Sequence, residues 1–220
     1  MCGRFSQFSD KIQEKFKAKI KDNILLDFKY NYSPSDKIKA VVTNSERWIV
    51  LFRWGIINDW SLRKNFHLFN IRSESLFDKK PFFKLFERQR CLVIADGFYE
   101  WKHEESTKKP YYIFMKNQEP FAFGGIYENW ISPDGKIISS CAIITTKANK
   151  LINQIHERMP VIIPEDFWEI WLDNSRFERE CMIKLLEPYP ADGMEMYEVS
   201  KEINSTKTDG SFLIKSVSRN

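Results

Sequence analysis

The segment CLVIADGFYEW, residues 91–101, begins the part of the chain that decides the fold. Three more runs rich in β-branched and aromatic residues follow it: PYYIFM (110–115), PFAFGGIYENW (120–130) and IISSCAIIT (137–145). Turns that are polar or contain proline and glycine separate the runs, and this pattern is typical of strands joined by short connections. Residues 91–146 therefore predict the β-sheet core of the protein.

Helical patterns lie before and after this region rather than between its strands. Residue spacing predicts helices at about 9–20, after Ser73, after Pro81, at 148–155, from 164 and at 176–186, and further strands near 38–43, 47–54, 159–163 and 194–200. This arrangement favours an α+β fold with a mainly antiparallel sheet. No repeat or linker interrupts the chain, so we expect one domain over residues 1–220.

The composition excludes several classes of protein. The 220 residues are 43% hydrophobic with a net charge of +4, which permits a nucleic-acid partner without requiring one. No secretion signal or apolar run of membrane-spanning length is present, so we expect a cytoplasmic protein with no membrane partner. The cysteines, Cys2, Cys91, Cys141 and Cys181, lack the spacing of a disulfide framework or a metal site. We expect no cofactor.

Cys2 directly follows the initiator methionine. Once Met1 is removed, Cys2 carries a free α-amine and a thiol on adjacent carbons. The amine can condense with an aldehyde to an imine, and the thiolate can then close a five-membered thiazolidine ring. Both groups titrate at mildly alkaline pH, so neither needs a large pKa shift. The alternative is that Cys2 is an incidental small residue near the start of the chain.

Three segments place polar groups where a substrate could meet them. In the segment NIRSE (70–74), Asn70 could bond a sugar and Arg72 a phosphate, although Ser73 and Glu74 also suit a helix start. Glu100 lies between two aromatic residues, where a raised pKa suits proton transfer; an ion-paired structural glutamate would look the same. His156 lies at a predicted helix end, before a buried strand.

Aromatic and basic residues elsewhere are open to two interpretations. Trp54 and Trp60 could stack on unpaired bases, or they could belong to the core. The lysine run at 11–21 has apolar residues at helical spacing, which is more typical of the solvated face of a helix than of a binding groove.

Six motifs of the chain, taken in order, closely resemble the SOS response-associated peptidase (SRAP) family, whose members are also called abasic-site processing proteins. The motifs are M-C-G-R-F at residue 1, R-W-G at 53, N-x-R-x-E at 70, D-G-F-Y-E-W at 96, T-T-x-A-N at 145 and H-x-R-M-P at 156. The resemblance extends from residue 2 to about residue 204. It implies a barrel-like, mainly antiparallel β core with flanking helices.

The resemblance also implies a function in the DNA damage response. Members of the family form a thiazolidine link to the ring-opened aldehyde of abasic sites in single-stranded DNA and so shield the lesion. The implied activities are DNA–protein cross-linking, which is lyase-like, and self-removal of Met1, which is a peptidase reaction. The implied partner is single-stranded DNA with abasic sites, and we expect a monomer.

Site residues follow from the same resemblance. It implies that Cys2 is the nucleophile, Asn70 orients it, Glu100 is the general acid and base, and His156 completes the proton transfers. The implied DNA contacts are Arg4, Trp54, Trp60, Arg72, Trp101, Thr145 and Arg158. No metal is implied. The segment VSKEIN (199–204) departs from the usual valine-asparagine pair of the family, which leaves the DNA contacts of this segment open.

Two other function classes remain from the sequence. A cysteine after Met1 also begins glutamine-hydrolysing amidotransferases, but their oxyanion hole needs an Asn-Gly pair, and this chain has none. A non-covalent single-strand binding module would account for the aromatic residues and arginines. It would leave the grouping of Cys2, Glu100 and His156 unexplained.

Overall fold

The computed structural model describes residues 3–21, 24, 27–57, 68–105 and 107–217. Within these residues the strands are β1 (Arg4–Gln7), β2 (Lys19–Ile20), β3 (Lys29–Tyr32), β4 (Lys37–Asn44), β5 (Glu46–Trp54), β6 (Asn70–Arg72), β7 (Arg90–Ala95), β8 (Gly97–Glu104), β9 (Thr107–Met115), β10 (Phe121–Ile131), β11 (Ile137–Lys147), β12 (Arg158–Pro160) and β13 (Met194–Glu198).

Short helices flank these strands. The α-helices in the described part of the chain are α1 (Ile12–Phe16), α2 (Ser73–Asp78), α3 (Lys80–Arg88), α4 (Trp168–Leu172) and α5 (Arg179–Leu185). Single turns of 3-10 helix occupy Ile152–Gln154, Glu165–Phe167, Ala191–Gly193, Lys201–Asn204 and Ser211–Ile214. Across the described ranges, no helix is both long enough and apolar enough to cross a bilayer.

The larger sheet closes on itself. Its strand order is β12-β11-β10-β7-β4-β5-β2, and β11 also pairs in parallel with β5, where Ser140 faces Arg53 and Cys141 faces Trp54. Strands β11, β10, β7, β4 and β5 therefore form a closed five-stranded barrel, in which the other neighbouring pairs are antiparallel. The expected α+β fold, with a mainly antiparallel barrel-like core and flanking helices, is confirmed.

The smaller sheet begins where the segment 91–101 divides at Asp96. Its order is β13-β9-β8-β1-β3, with every pair antiparallel. The Asp96 carboxylate accepts hydrogen bonds from the backbone N–H groups of Phe8 (2.5 Å) and Ser9 (3.1 Å), which ties the end of β1 to the junction between the two sheets. One apolar run of sequence thus supplies a strand to each sheet.

Strand β7 is buried along its whole length because its two faces meet different apolar clusters. Cys91 and Val93 belong to the cluster that contains Trp54, whereas Leu92 belongs to the cluster that contains Trp171 of α4. A strand covered on both faces has an uninterrupted apolar sequence rather than an alternating one, as CLVIA does.

Two predicted helices are shorter than the sequence indicates. The helix expected at 9–20 ends at Phe16, because Lys17 adopts a left-handed conformation (φ 47°) and Lys19 and Ile20 pair with β5. The helix expected at 148–155 is one 3-10 turn, held by the Asn149 side chain, which accepts from the N–H groups of Leu151 (3.1 Å) and Ile152 (3.0 Å).

Candidate active site

Several of the residues singled out from the sequence lie around one end of β11. Strand β6 runs parallel to β11, with Asn70 opposite Ile143 and Arg72 opposite Thr145. Strand β12 runs antiparallel along the other edge of β11, with Thr145 opposite Pro160. The loop that contains His156 leads directly into β12. β11 therefore holds the Asn70 and His156 segments on its two sides.

Glu100 lies on β8 and is buried, with 3% of its surface exposed. Burial raises the pKa of its carboxyl, because water no longer solvates the charge. The charge of His156 acts in the opposite direction on this pKa, so the two groups interact electrostatically.

The His156 ring has a defined orientation. Its Nδ1 accepts a hydrogen bond from the backbone N–H of Arg158 at 2.9 Å. When the ring is neutral, this bond places the ring proton on Nε2, because Nδ1 must supply a lone pair. The Nε2 edge is then a hydrogen-bond donor.

The start of the described chain lies beside Glu100. Strand β1 pairs with β8, with Arg4 opposite Tyr99 and Phe5 opposite Phe98. Gly3, the residue before this ladder, therefore approaches the Glu100 position. Cys2 and Trp60 lie outside the described residues.

Arg158 forms an ion pair inside the protein. Its guanidinium bonds Glu74 through two nitrogens, at 2.6 and 3.0 Å, and donates to the carbonyl of Thr145 at 2.7 Å. The hydrogen bonds from Arg158 lower the pKa of Glu74 to about 2. The sequence shows Glu74 as a helix-start residue, and its partner is 84 residues away, which hides the pair from sequence reasoning.

Arg4 and Trp101 meet at the C-terminal segment. Arg4 donates to the Asn31 side chain (2.8 Å) and to the carbonyls of Ile203 (2.8 Å) and Asn204 (3.2 Å). The indole N–H of Trp101 donates to the Asn204 side chain at 2.8 Å. Asn204 therefore contacts two of the expected DNA-binding residues, a role that sequence reasoning left open.

Comparison with known proteins identifies the chain. The sequence profile described as SOS response associated peptidase (SRAP) matches residues 1–206. The chain belongs to the SRAP family. An abasic site processing protein, YoqW of Bacillus subtilis, is 39% identical over 98% of this chain and 100% of its own length. Abasic site processing protein HMCES of Xenopus tropicalis is 28% identical over 91% of this chain and 65% of its own length.

The SRAP chain also matches solved structures. A crystal structure of a protein from Bacteroides thetaiotaomicron superposes with a TM-score of 0.85 and 25% sequence identity, and the match covers 98% of this chain and 99% of that one.

Two of the residues expected to contact DNA in this SRAP chain are fully buried. Trp54 is a core residue whose indole N–H donates to the carbonyl of Phe69 at 2.9 Å. The Thr145 hydroxyl is buried and donates to the carbonyl of Ile71 at 3.4 Å. Both side chains are fully buried in this structure, which agrees with the alternative interpretation of Trp54 as a core residue; contact of either residue with DNA stays an untested prediction.

Arg72 differs from the other arginines of the SRAP site. It is exposed at the end of β6, and in the described ranges no hydrogen bond or ion pair occupies its guanidinium. It is therefore available to a phosphate. Among the described residues, no three His, Cys, Asp or Glu side chains are grouped to hold a metal ion.

Proposed function

We propose that this SRAP protein captures the ring-opened aldehyde of abasic sites in single-stranded DNA as a thiazolidine at Cys2, after removal of Met1. The α-amine adds to the aldehyde carbon, the carbinolamine loses its hydroxyl as water, and the thiol adds across the resulting C=N bond. Sulfur bonds to carbon and the thiol proton passes to nitrogen, so one water is released overall. Removal of Met1 consumes one water by hydrolysis of the Met1–Cys2 peptide bond.

The buried carboxyl of Glu100 beside His156 is the observation that carries this proposal. Opening of the deoxyribose ring and loss of water from the carbinolamine both need a proton donor, and a carboxyl with a raised pKa retains its proton closer to neutral pH. Gly3 precedes β1 and lies next to the Glu100 position of the neighbouring strand β8. Cys2 is joined to Gly3 by one peptide bond.

His156 and Asn70 complete the proposed chemistry. The Nε2–H edge of His156 donates a hydrogen bond to a sugar hydroxyl and so holds the sugar beside Glu100, which supplies the proton for ring opening. Asn70 lies across β11 and supplies an amide that orients Cys2 and the opened sugar. Membership of the family, with relatives named abasic site processing proteins, supports these roles.

We propose that the DNA is held by Arg72 and Trp101, with Trp60 as a further contact. Arg72 is exposed beside Asn70, and Trp101 is partly exposed beside Glu100. Arg4 and Arg158 act differently, because internal acceptors engage their guanidinium groups: Arg4 fixes the N-terminal strand, and Arg158 fixes the end of β11. We propose that the monomer is active.

A denaturing gel tests the proposal. Untagged protein, shown by intact mass to lack Met1, is incubated with a single strand that carries one abasic site. We expect a heat-stable band of protein plus oligonucleotide. A strand with a tetrahydrofuran analogue, which has no aldehyde, gives no band.

Two cysteine variants serve as a matched pair in this experiment. Cys2→Ala abolishes the band, whereas Cys181→Ala, which removes a partly exposed thiol elsewhere, leaves it unchanged. A band that survives Cys2→Ala would reject the thiazolidine. Binding of the abasic strand without any band would favour a non-covalent single-strand binding module instead.

A further inference from the structure

The β8–β9 hairpin continues beyond Glu100 and Trp101, so its outer residues lie next to the proposed site. Its strands pair in register, with Trp101 opposite Pro110, Lys102 opposite Lys109, and His103 opposite Lys108. Directly paired residues lie on the same face of a sheet, and successive pairs alternate between faces. His103 and Lys108 therefore lie on the face of Trp101, and Lys102 and Lys109 lie on the face of Glu100.

The Glu100 face and the Trp101 face of the hairpin differ in whether their lysines are ion-paired. On the Glu100 face, Lys102 and Lys109 both pair with Glu104, at 3.0 and 2.8 Å. On the Trp101 face, His103 and Lys108 are exposed, and within the described residues neither has an acidic partner at salt-bridge distance. An ammonium group that is not already paired binds a phosphate without first breaking an internal ion pair.

We propose that the Trp101 face of this hairpin is a binding surface for single-stranded DNA, with Lys108 as the phosphate contact and His103 beside it. Residues two apart on a strand are separated by about 6.8 Å, so Lys108 lies one such step beyond Trp101. When one base packs on Trp101, the phosphate of the neighbouring nucleotide lies at Lys108. This inference rests on the proposed function for the position of Trp101 and adds the hairpin to the DNA path.

Salt-dependent binding tests the surface. Fluorescence anisotropy measures the affinity of the Cys2→Ala protein for a labelled single strand that carries the tetrahydrofuran analogue, over a range of salt concentrations. Lys108→Ala and Lys109→Ala are compared in this background, because each removes one ammonium group from β9 and the two substitutions change the net charge equally. Thermal unfolding of each variant verifies that both remain folded.

We expect Lys108→Ala to weaken binding several-fold at low salt and to reduce the slope of log K against log salt by about 0.7, the value for one phosphate contact on a single strand. Lys109→Ala leaves the slope unchanged, since Glu104 holds its ammonium. Equal effects of the two substitutions, or no effect of Lys108→Ala, would overturn the inference.

The two proposals fail separately. Absence of a cross-linked band with the unsubstituted protein rejects the thiazolidine, whereas a difference in slope between the lysine variants still supports the hairpin surface. Conversely, a band with no difference in slope keeps the thiazolidine and removes the hairpin from the DNA path.

Discussion

At the scale of single residues, Glu100 combines a cost to stability with a proposed role as general acid. Burial raises the pKa of its carboxyl, so the charged form is less favourable in the folded chain than in the unfolded chain. This cost is absent below the ordinary pKa of glutamate. It grows as the pH rises through the interval up to the raised pKa, and is complete above it.

Glu100→Gln should therefore separate stability from activity. We expect the variant to have a higher Tm than the unsubstituted protein at pH 8, with the difference disappearing at pH 4, because glutamine carries no charge to bury. Adduct formation should slow by about 10²-fold or more, since the general acid is lost. Differential scanning calorimetry and a gel time course measure both effects. A lower Tm at pH 8 together with normal adduct formation would remove Glu100 from the mechanism.

At this scale the sequence named Asn70, Glu100 and His156 as candidate site residues, and their roles stay predictions; it did not reveal which partners Arg4, Arg158 and Trp54 have inside the protein. The type of a residue shows which chemistry its side chain is capable of. Its hydrogen-bond or ion-pair partner, however, is determined by tertiary contacts. Arg158 and Glu74 are 84 residues apart, so nothing local in the sequence joins them. For Trp54 a signal was present: Phe52, two residues earlier on β5, is also buried, and residues two apart share one face.

At the scale of elements, the sequence predicted the long strands and the later helices and missed the short strands β1 and β3. Each of these has four residues, and each exists because it pairs with a strand elsewhere in the sequence. Local periodicity carries little information over such lengths. The division of CLVIADGFYEW between two sheets was also hidden, because both halves are apolar and the cause is the contact of Asp96 with β1.

The Glu74–Arg158 pair joins the start of α2 to β12, and its contribution should depend on pH. The folded-state pKa of Glu74 is lowered to about 2, so the pair contributes stability above the ordinary pKa of glutamate. That contribution is lost as the pH falls from there towards about 2. Half of the Glu74 side chain is exposed, which weakens the pair through solvent screening.

We expect Glu74→Gln to destabilise the protein by about 1–2 kcal/mol at pH 7, because the buried arginine loses its charged partner. Urea denaturation at pH 7 and at pH 3 measures this. The difference between the variant and the unsubstituted protein should shrink at the lower pH. An equal difference at both values would show that the pair acts through packing rather than charge.

At the scale of the whole molecule, Arg90 fastens the helices to the barrel. It is fully buried at the start of β7, and its guanidinium donates to the carbonyls of Trp171 (2.7 Å), Phe86 (2.8 Å) and Glu87 (2.6 Å), with further bonds to those of Asp173 and Arg176. The side chain of Arg90 thus donates hydrogen bonds to carbonyls at the C-terminal ends of both α3 and α4. Helix-end carbonyls that water cannot reach are hydrogen-bonded in this way.

Arg90→Met should destabilise the whole fold by about 3 kcal/mol or more, because several buried carbonyls lose their donors at once. Arg88→Met is the matched control, since that side chain is 69% exposed, and we expect it to change stability by less than about 0.5 kcal/mol. Chemical denaturation of the two variants gives the comparison. Similar values for both would mean that helix packing does not depend on this arginine.

The arrangement of the two sheets explains how one small domain could carry this chemistry. The barrel supplies β11 with the segments of Asn70 and His156, and the second sheet supplies Glu100 next to the beginning of the chain. The residues proposed for catalysis therefore come from four distant parts of the sequence, and of the three in the described ranges, Asn70 and His156 lie on segments beside β11 and Glu100 lies on β8.

Peptide mapping of the cross-linked product tests the central claim most directly. The heat-stable adduct is digested with a protease and a nuclease, and mass spectrometry locates the added sugar remnant. We expect the mass of the aldehyde minus one water on the peptide that begins at Cys2, in protein that lacks Met1. A remnant on a lysine peptide, or on a chain that retains Met1, would contradict the account.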